Sequence, residues 1–107
     1  MIKEKDARIY ILGAGFAGRS LARELKKARV FGDLVAFLDD DRAKIGINID
    51  NIPVLGPIAD ITRLLAIRPQ DIAFIAIPSA DRETIRRIYS LVKNAGFKDI
   101  RILPGIA

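Results

Sequence analysis

An apolar run that ends in glycines and passes at once into helical periodicity leaves a chain few choices. Residues 9–18 read Ile-Tyr-Ile-Leu-Gly-Ala-Gly-Phe-Ala-Gly. This is a strand entering Gly-x-Gly-x-x-Gly and then a helix, which makes a cradle for phosphate. Gly13 allows the tight turn off the strand, Gly15 lets the backbone approach a pyrophosphate, and Gly18 lets the helix pack closely on the sheet. The start of the helix adds free N–H groups and the positive end of its dipole. Alone, such glycine spacing marks any crowded strand-to-helix turn. It is sharpened here by Asp39-Asp40-Asp41, which begins 21 residues past Gly18 at the end of a second apolar run. A dinucleotide site places an acid there, against a ribose hydroxyl.

The rest of the chain is read around that unit. Met1–Ala7 is a polar lead-in, and Arg8–Leu12 is the first strand, uninterrupted by polar residues as expected of a central strand buried on both faces. A helix follows over about Phe16–Ala28, with Ala17, Leu21, Leu25 and Ala28 on its inward stripe. Phe31-Gly32 makes the turn into Leu34–Leu38, a second strand parallel to the first. Ile47-Asn48-Ile49 and Ile52-Pro53-Val54-Leu55 bracket the turn pair Asp50-Asn51 as a small hairpin or irregular edge, and Pro53 puts that strand at the border of the sheet. A short helix is expected over about Ile58–Ala66, with Ile58, Ile61, Leu64 and Leu65 inward and Pro69 ending it. Asp71–Ile77 is the strongest strand and should lie beside the first, opposite the second. Ser79 or Asp81 caps the last helix, whose inward stripe is Ile85, Ile88, Tyr89 and Val92 and whose stop is Gly96. Ile100–Leu103 is the final strand. The expected fold class is α/β: a single doubly wound domain with a parallel sheet of about five strands in the order 3-2-1-4-5.

Ligands of such sheets sit beyond the carboxyl ends of the strands, where the strand order reverses. Three segments converge there: Gly13 to Gly18, Asp39 to Arg42, and the Pro78-Ser79 loop after strand four. The candidate binding residues are therefore Gly13, Ala14, Gly15, Phe16, Ala17, Gly18, Asp39, Asp40, Arg42, Pro78 and Ser79. Asp39 is the expected ribose partner. Asp40 and Asp41 also suit a solvated turn, Arg42 and Lys44 suit exposed loop cations, and Pro78-Ser79 suits a plain turn and helix cap.

Composition bounds the chemistry. The 107 residues contain no cysteine and no histidine, so thiolate chemistry and the commonest general base and metal ligand are missing, and no acidic cluster has metal-ligand spacing. Tyr89 and Lys93 have the Tyr-x-x-x-Lys spacing of short-chain dehydrogenases, but the helical phase turns Tyr89 inward beside Ile85 and Val92, so no catalytic residue is assigned. The chain is half hydrophobic with a net charge of +5. Its basic residues are spread over the whole chain, those of the first and last helices on solvated faces, with few aromatics among them, so nucleic acid is not an expected partner. No apolar run approaches the ~20 residues that span a bilayer, and the expected location is the cytoplasm. One domain over residues 1–107 is short for an enzyme of this class, so a fragment of a longer chain is expected.

Taken in order, the segments resemble the nucleotide-binding domain that precedes the catalytic domain in CapD-type polysaccharide biosynthesis proteins, the nucleoside-diphosphate-sugar dehydratases and epimerases. The resemblance rests on Ile11–Arg19, on Ala36–Asp41 with Lys44-Ile45-Gly46, on Ile52–Gly56, on Ile75–Ala80, and on Arg101–Gly105. It implies a Rossmann-like fold, NAD or another nucleotide as cofactor, a catalytic domain of the parent chain as partner, a possible homo-oligomer, and a parent attached to the inner membrane with this domain facing the cytoplasm. The family's catalytic residues lie outside the resemblance. The glycine loop, Asp39-Asp40 and Pro53-Val54-Leu55-Gly56 are also similar to the amino-terminal domain of PglD-type sugar acetyltransferases, which implies a UDP-sugar instead. CoA-binding and redox-sensing domains of the same fold are a more distant likeness. A non-catalytic interaction module with an empty glycine loop is the alternative from another class.

Overall fold

The computed structural model describes residues 7–29 and 32–104. The expected lead-in at residues 1–6, Phe31 of the first turn, and Gly105 of the final motif lie outside the described residues.

Four parallel strands form the sheet: β1 (Arg8–Leu12), β2 (Asp33–Leu38), β5 (Ile72–Ile75) and β6 (Asp99–Ile102), in the spatial order β2-β1-β5-β6. β1 and β5 are central, and alternation along them divides the core in two. Ile9, Ile11, Ile72 and Phe74 face one way and pack with Ala22 and Leu25 of α1 (Phe16–Ala28). Tyr10, Leu12, Ala73 and Ile75 face the other way and pack with Ile61 of α2 (Ile61–Leu64) and Ile88 and Val92 of α3 (Arg82–Ala95). Period-two alternation with both faces covered is what turns such strands into continuous apolar runs. Each large aliphatic side chain buried here contributes about 1.5–3 kcal/mol.

The outermost position of the expected five-strand order is reduced to a fragment. β3 (Asn48–Ile49) and β4 (Ile52–Pro53) form a separate antiparallel hairpin, turned at Asp50 and Asn51, which both have positive φ. Just past β4, Val54 makes a single parallel bridge to Phe37 of β2, extended by Leu55 N–H to Phe37 O at 3.0 Å and Asp39 N–H to Gly56 O at 3.0 Å. Pro53 cannot donate to a ladder, which confines pairing along β2 to the residues beyond it.

Three helical expectations are corrected. The buried face of α1 is Gly18, Ala22 and Leu25, and Ala28 is exposed, because close contact at Gly18 sets the rotation of the helix. The Ile58–Ala66 helix is a 3-10 turn (Ile58–Asp60) followed by the single turn of α2. It ends at Leu65, which turns extended well before Pro69 and lets the Ala66 carbonyl accept from Arg8 Nη2 at 2.6 Å. Tyr89 is 37% exposed and not core, since α3 packs along Ile88 and Val92. Asp81, not Ser79, caps α3, accepting from Thr84 N–H at 2.8 Å, and Gly96 ends it in the left-handed region.

Candidate functional site

The chain passes from β1 outward to β2 and then returns to β5 on the other side of β1, so the strand order reverses between β1 and β5. At the carboxyl ends of these strands lies a cavity of about 650 Å³, within the range of small-molecule and cofactor sites. Its lining comes from every strand end. Gly13, Gly15, Phe16 and Ala17 follow β1, Asp39, Asp40 and Lys44 follow β2, Ala76, Ile77, Pro78 and Ser79 follow β5, and Leu103 and Pro104 follow β6. Ile58 and, from α3, Thr84, Arg87 and Ile88 complete it.

The three glycines have three separable jobs. Gly13 has φ +110°, and a Cβ there would stand 2.4 Å from the Ala76 carbonyl oxygen, so the turn off β1 admits only glycine. A Cβ on Gly18 would lie 1.8 Å from the Gly13 carbonyl oxygen, so α1 sits directly against the loop it leaves. Gly15 is different: its backbone is extended, and among the described residues a Cβ would meet only Lys44 Nζ, at 4.0 Å. Its missing side chain answers no steric demand of the fold. It leaves open space at the N-terminus of α1.

That N-terminus is bare. Gly15 is its N-cap, no side chain among the described residues caps it, and no acid stands in its first turn. By contrast α3, at the same end of the sheet, carries the Asp81 cap and Glu83 in its first turn. The Thr84 bonds hold the Asp81 carboxyl below the usual carboxylate range. Orphan N–H groups and the positive dipole end are thus neutralised within the chain at α3 and left for solvent or ligand at α1.

The acidic triplet is more structural than its position in the sequence suggests. Asp39 Oδ2 accepts from Ala14 N–H at 2.7 Å and its Oδ1 from Asp41 N–H at 2.8 Å, so this carboxylate ties the glycine loop to the end of β2. Asp40 accepts from Ile58 N–H at 2.9 Å, and Asp41 from Ala43 N–H at 3.0 Å. Each ionised oxygen keeps further acceptor capacity, and Asp39 and Asp40 still line the cavity.

Of the residues expected from sequence, Gly13, Gly15, Phe16, Ala17, Asp39, Asp40, Pro78 and Ser79 meet in the cavity. Ala14 and Gly18 are buried behind it as loop supports, and Arg42 is exposed outside its lining. Lys44, read as an exposed loop cation, is in the lining, together with Thr84, Arg87, Leu103 and Pro104. The signals were present. Thr84 precedes Ile88 by one helical turn, and Leu103-Pro104 follows β6 as Pro78-Ser79 follows β5. Tyr89 and Lys93 border a separate groove of about 390 Å³ with Phe97 and Ile100, away from the glycine loop.

Taken together, these features define a Rossmann-like, doubly wound α/β domain with a cavity at its switch point. No family model matches the chain, and no curated protein does. Solved structures do. RSP, a Rex-family repressor, superposes with a TM-score of 0.79 at 21% identity over 96% of this chain and 47% of that one. The same repressor in complex with β-NADH gives 0.76 at 20% identity over 94% of this chain and 47% of that one. UDP-D-quinovosamine 4-dehydrogenase from Vibrio fischeri gives 0.79 at 27% identity over 94% of this chain and 80% of that one. The chain thus spans about half the repressor's length and four-fifths of the dehydrogenase's. The likeness to the repressor is one of fold.

Proposed function

We propose that this domain binds a nucleotide, NAD first among the candidates, at the cavity over Gly15. The observation that carries the reading is the uncapped N-terminus of α1 opening through a side-chain-free Gly15 into that cavity. The repressor RSP has been solved with β-NADH and with β-NAD+ and operator DNA, which supports NAD as the ligand class. A UDP-sugar is the second reading, favoured by the likeness to a UDP-sugar 4-dehydrogenase over 94% of this chain. In this proposal the ligand contacts fall on Gly13, Gly15, Phe16, Ala17, Asp39, Asp40, Pro78 and Ser79.

The same proposal assigns the domain, residues 1–107, to a longer CapD-type nucleoside-diphosphate-sugar dehydratase or epimerase of polysaccharide biosynthesis, on the cytoplasmic side of a membrane-attached parent. The order of the glycine loop, the Asp triplet, Pro53–Gly56 and Ile75–Ala80 supports it. The proposed partners are the nucleotide and the parent's catalytic domain rather than nucleic acid, because the basic residues are dispersed over the whole chain.

Calorimetry with NAD, NADP, UDP-glucose and CoA tests the site. The native domain is expected to bind NAD or UDP-glucose, and Gly15→Val to lose that binding while remaining folded. The new side chain fills the cradle, and the N-cap change costs under about 1 kcal/mol. Absence of binding by the native domain at millimolar ligand would leave the interaction-module reading.

A further inference from the structure

We propose that Lys44 makes this cavity selective for ligands carrying a diphosphate, an inference that rests on the nucleotide site proposed above. The backbone around Lys44 is held by successive turns. Lys44 N–H donates to Asp41 O at 2.9 Å, Ile47 N–H to Lys44 O at 3.2 Å, and Gly46 N–H to Val54 O at 2.8 Å, while the neighbouring Ile45 packs on the core. A loop fixed in this way carries the Lys44 side chain into the cavity lining, with Nζ 4.0 Å from where a methyl group on Gly15 would sit. The open spot at the α1 N-terminus is therefore bounded by an ammonium group.

The nearby acids do not consume that charge. Lys44 Nζ is 3.9 Å from Asp41 Oδ2, a loose pair between half-exposed groups. Asp39 accepts from two backbone N–H groups, and the second Asp41 oxygen accepts from Ala43. One phosphoryl group at the helix terminus is served by backbone N–H groups alone. A second, adjacent phosphoryl group then comes within reach of Lys44, which supplies the counter-charge that the backbone cannot. A dinucleotide and a nucleoside-diphosphate sugar share this chemistry, and a nucleoside monophosphate lacks it.

The test compares ADP-ribose with AMP, and UDP-glucose with UMP, by calorimetry on the native chain, Lys44→Gln, Lys44→Arg and Lys27→Gln. Lys27 is an exposed cation in the last turn of α1 and serves as the charge-matched control. Lys44→Gln is expected to weaken the diphosphate ligand roughly tenfold or more and the monophosphate far less, so their affinity ratio collapses. Lys44→Arg should keep the ratio, and Lys27→Gln should leave it unchanged. An unchanged ratio in Lys44→Gln, or an equal fall in Lys27→Gln, would overturn the role of Lys44 and leave the nucleotide site standing. If the native chain binds none of the four probes, both proposals fall together.

Discussion

The two ends of the sheet use the same residue types to opposite purposes. At the amino end, Asp71 is fully buried ahead of β5 and has every partner it needs. Arg8 Nη2 donates to Oδ2 at 2.8 Å, Arg8 Nε to Oδ1 at 3.3 Å, and Arg68 N–H to Oδ2 at 2.8 Å. The Arg8 guanidinium also lies 5.9 Å from the centre of the Tyr10 ring, closing that end of the core. At the carboxyl end, Asp39, Asp40 and Lys44 line a cavity, α1 has a bare terminus, and the 79%-exposed ring of Phe16 stands at the rim. A closed, satisfied end contributes stability. An end with unused donors and open volume contributes little to folding, which is where a binding site is to be sought.

Removing the buried carboxylate of the Arg8–Asp71 pair should have the largest effect. Asp71→Ala leaves Arg68 N–H without its acceptor and the Arg8 guanidinium with only the Ala66 carbonyl as acceptor among the described residues, and is expected to cost about 2–4 kcal/mol in denaturant unfolding. The same group sets an acid limit. Burial pushes the Asp71 carboxyl up, but the bonds from Arg8 and Arg68 outweigh it and hold the pKa below its ordinary 3.8. Its stabilisation is therefore complete above 3.8 and drains away as pH falls through the lower folded value. In Asp71→Asn that part of the acid dependence should vanish. Loss of less than ~1 kcal/mol in Asp71→Ala would erase the distinction between the two ends.

Gly18→Ala tests whether the carboxyl end is also tightly packed behind its cavity. The added methyl group meets the Gly13 carbonyl oxygen, so the helix must shift, at a cost of about 1–3 kcal/mol. Chemical denaturation of Gly18→Ala beside Gly15→Val should show the first destabilised and the second nearly native. Equal stabilities would mean that the glycines of this loop are not divided between packing and access.

Asp39→Asn sharpens the boundary between support and site. An amide has one acceptor oxygen, so it can serve Ala14 N–H or Asp41 N–H but not both. If Asp39 acts chiefly as a loop brace, about 1–3 kcal/mol of stability is lost and NAD and NADP weaken alike. If it reads the ribose, a native preference for NAD over NADP shrinks while stability holds. The smallest effect belongs to Tyr89→Phe. At a position 37% exposed on α3, losing the hydroxyl should cost under about 0.5 kcal/mol and leave nucleotide affinity unchanged.

Much of this was legible from residue order because local physics enforces it. Ile9–Leu12 and Ile72–Ile75 are strands in any context that can bury both faces, Gly13 is needed where φ is positive, and right-handed crossovers then put the glycine loop at the switch point. Sequence alone therefore determined the α/β class, the strand neighbours of β1, both long helices and the end of the sheet that holds the cavity. Tertiary packing decided the rest. Which stripe of α1 faces inward depended on Gly18 meeting Gly13, and whether Tyr89 was core depended on where β6 lies beneath α3. The Asp39–Ala14 bond joins residues 25 apart in sequence, and no local rule chooses between a solvated turn carboxylate and a brace. Lys44 and Arg42 are alike as loop cations in the sequence. Only the fold of Asp41–Gly46 against Val54 carries one into the cavity and leaves the other in solvent, because a side chain's surroundings are set by contacts that the chain makes after it closes on itself.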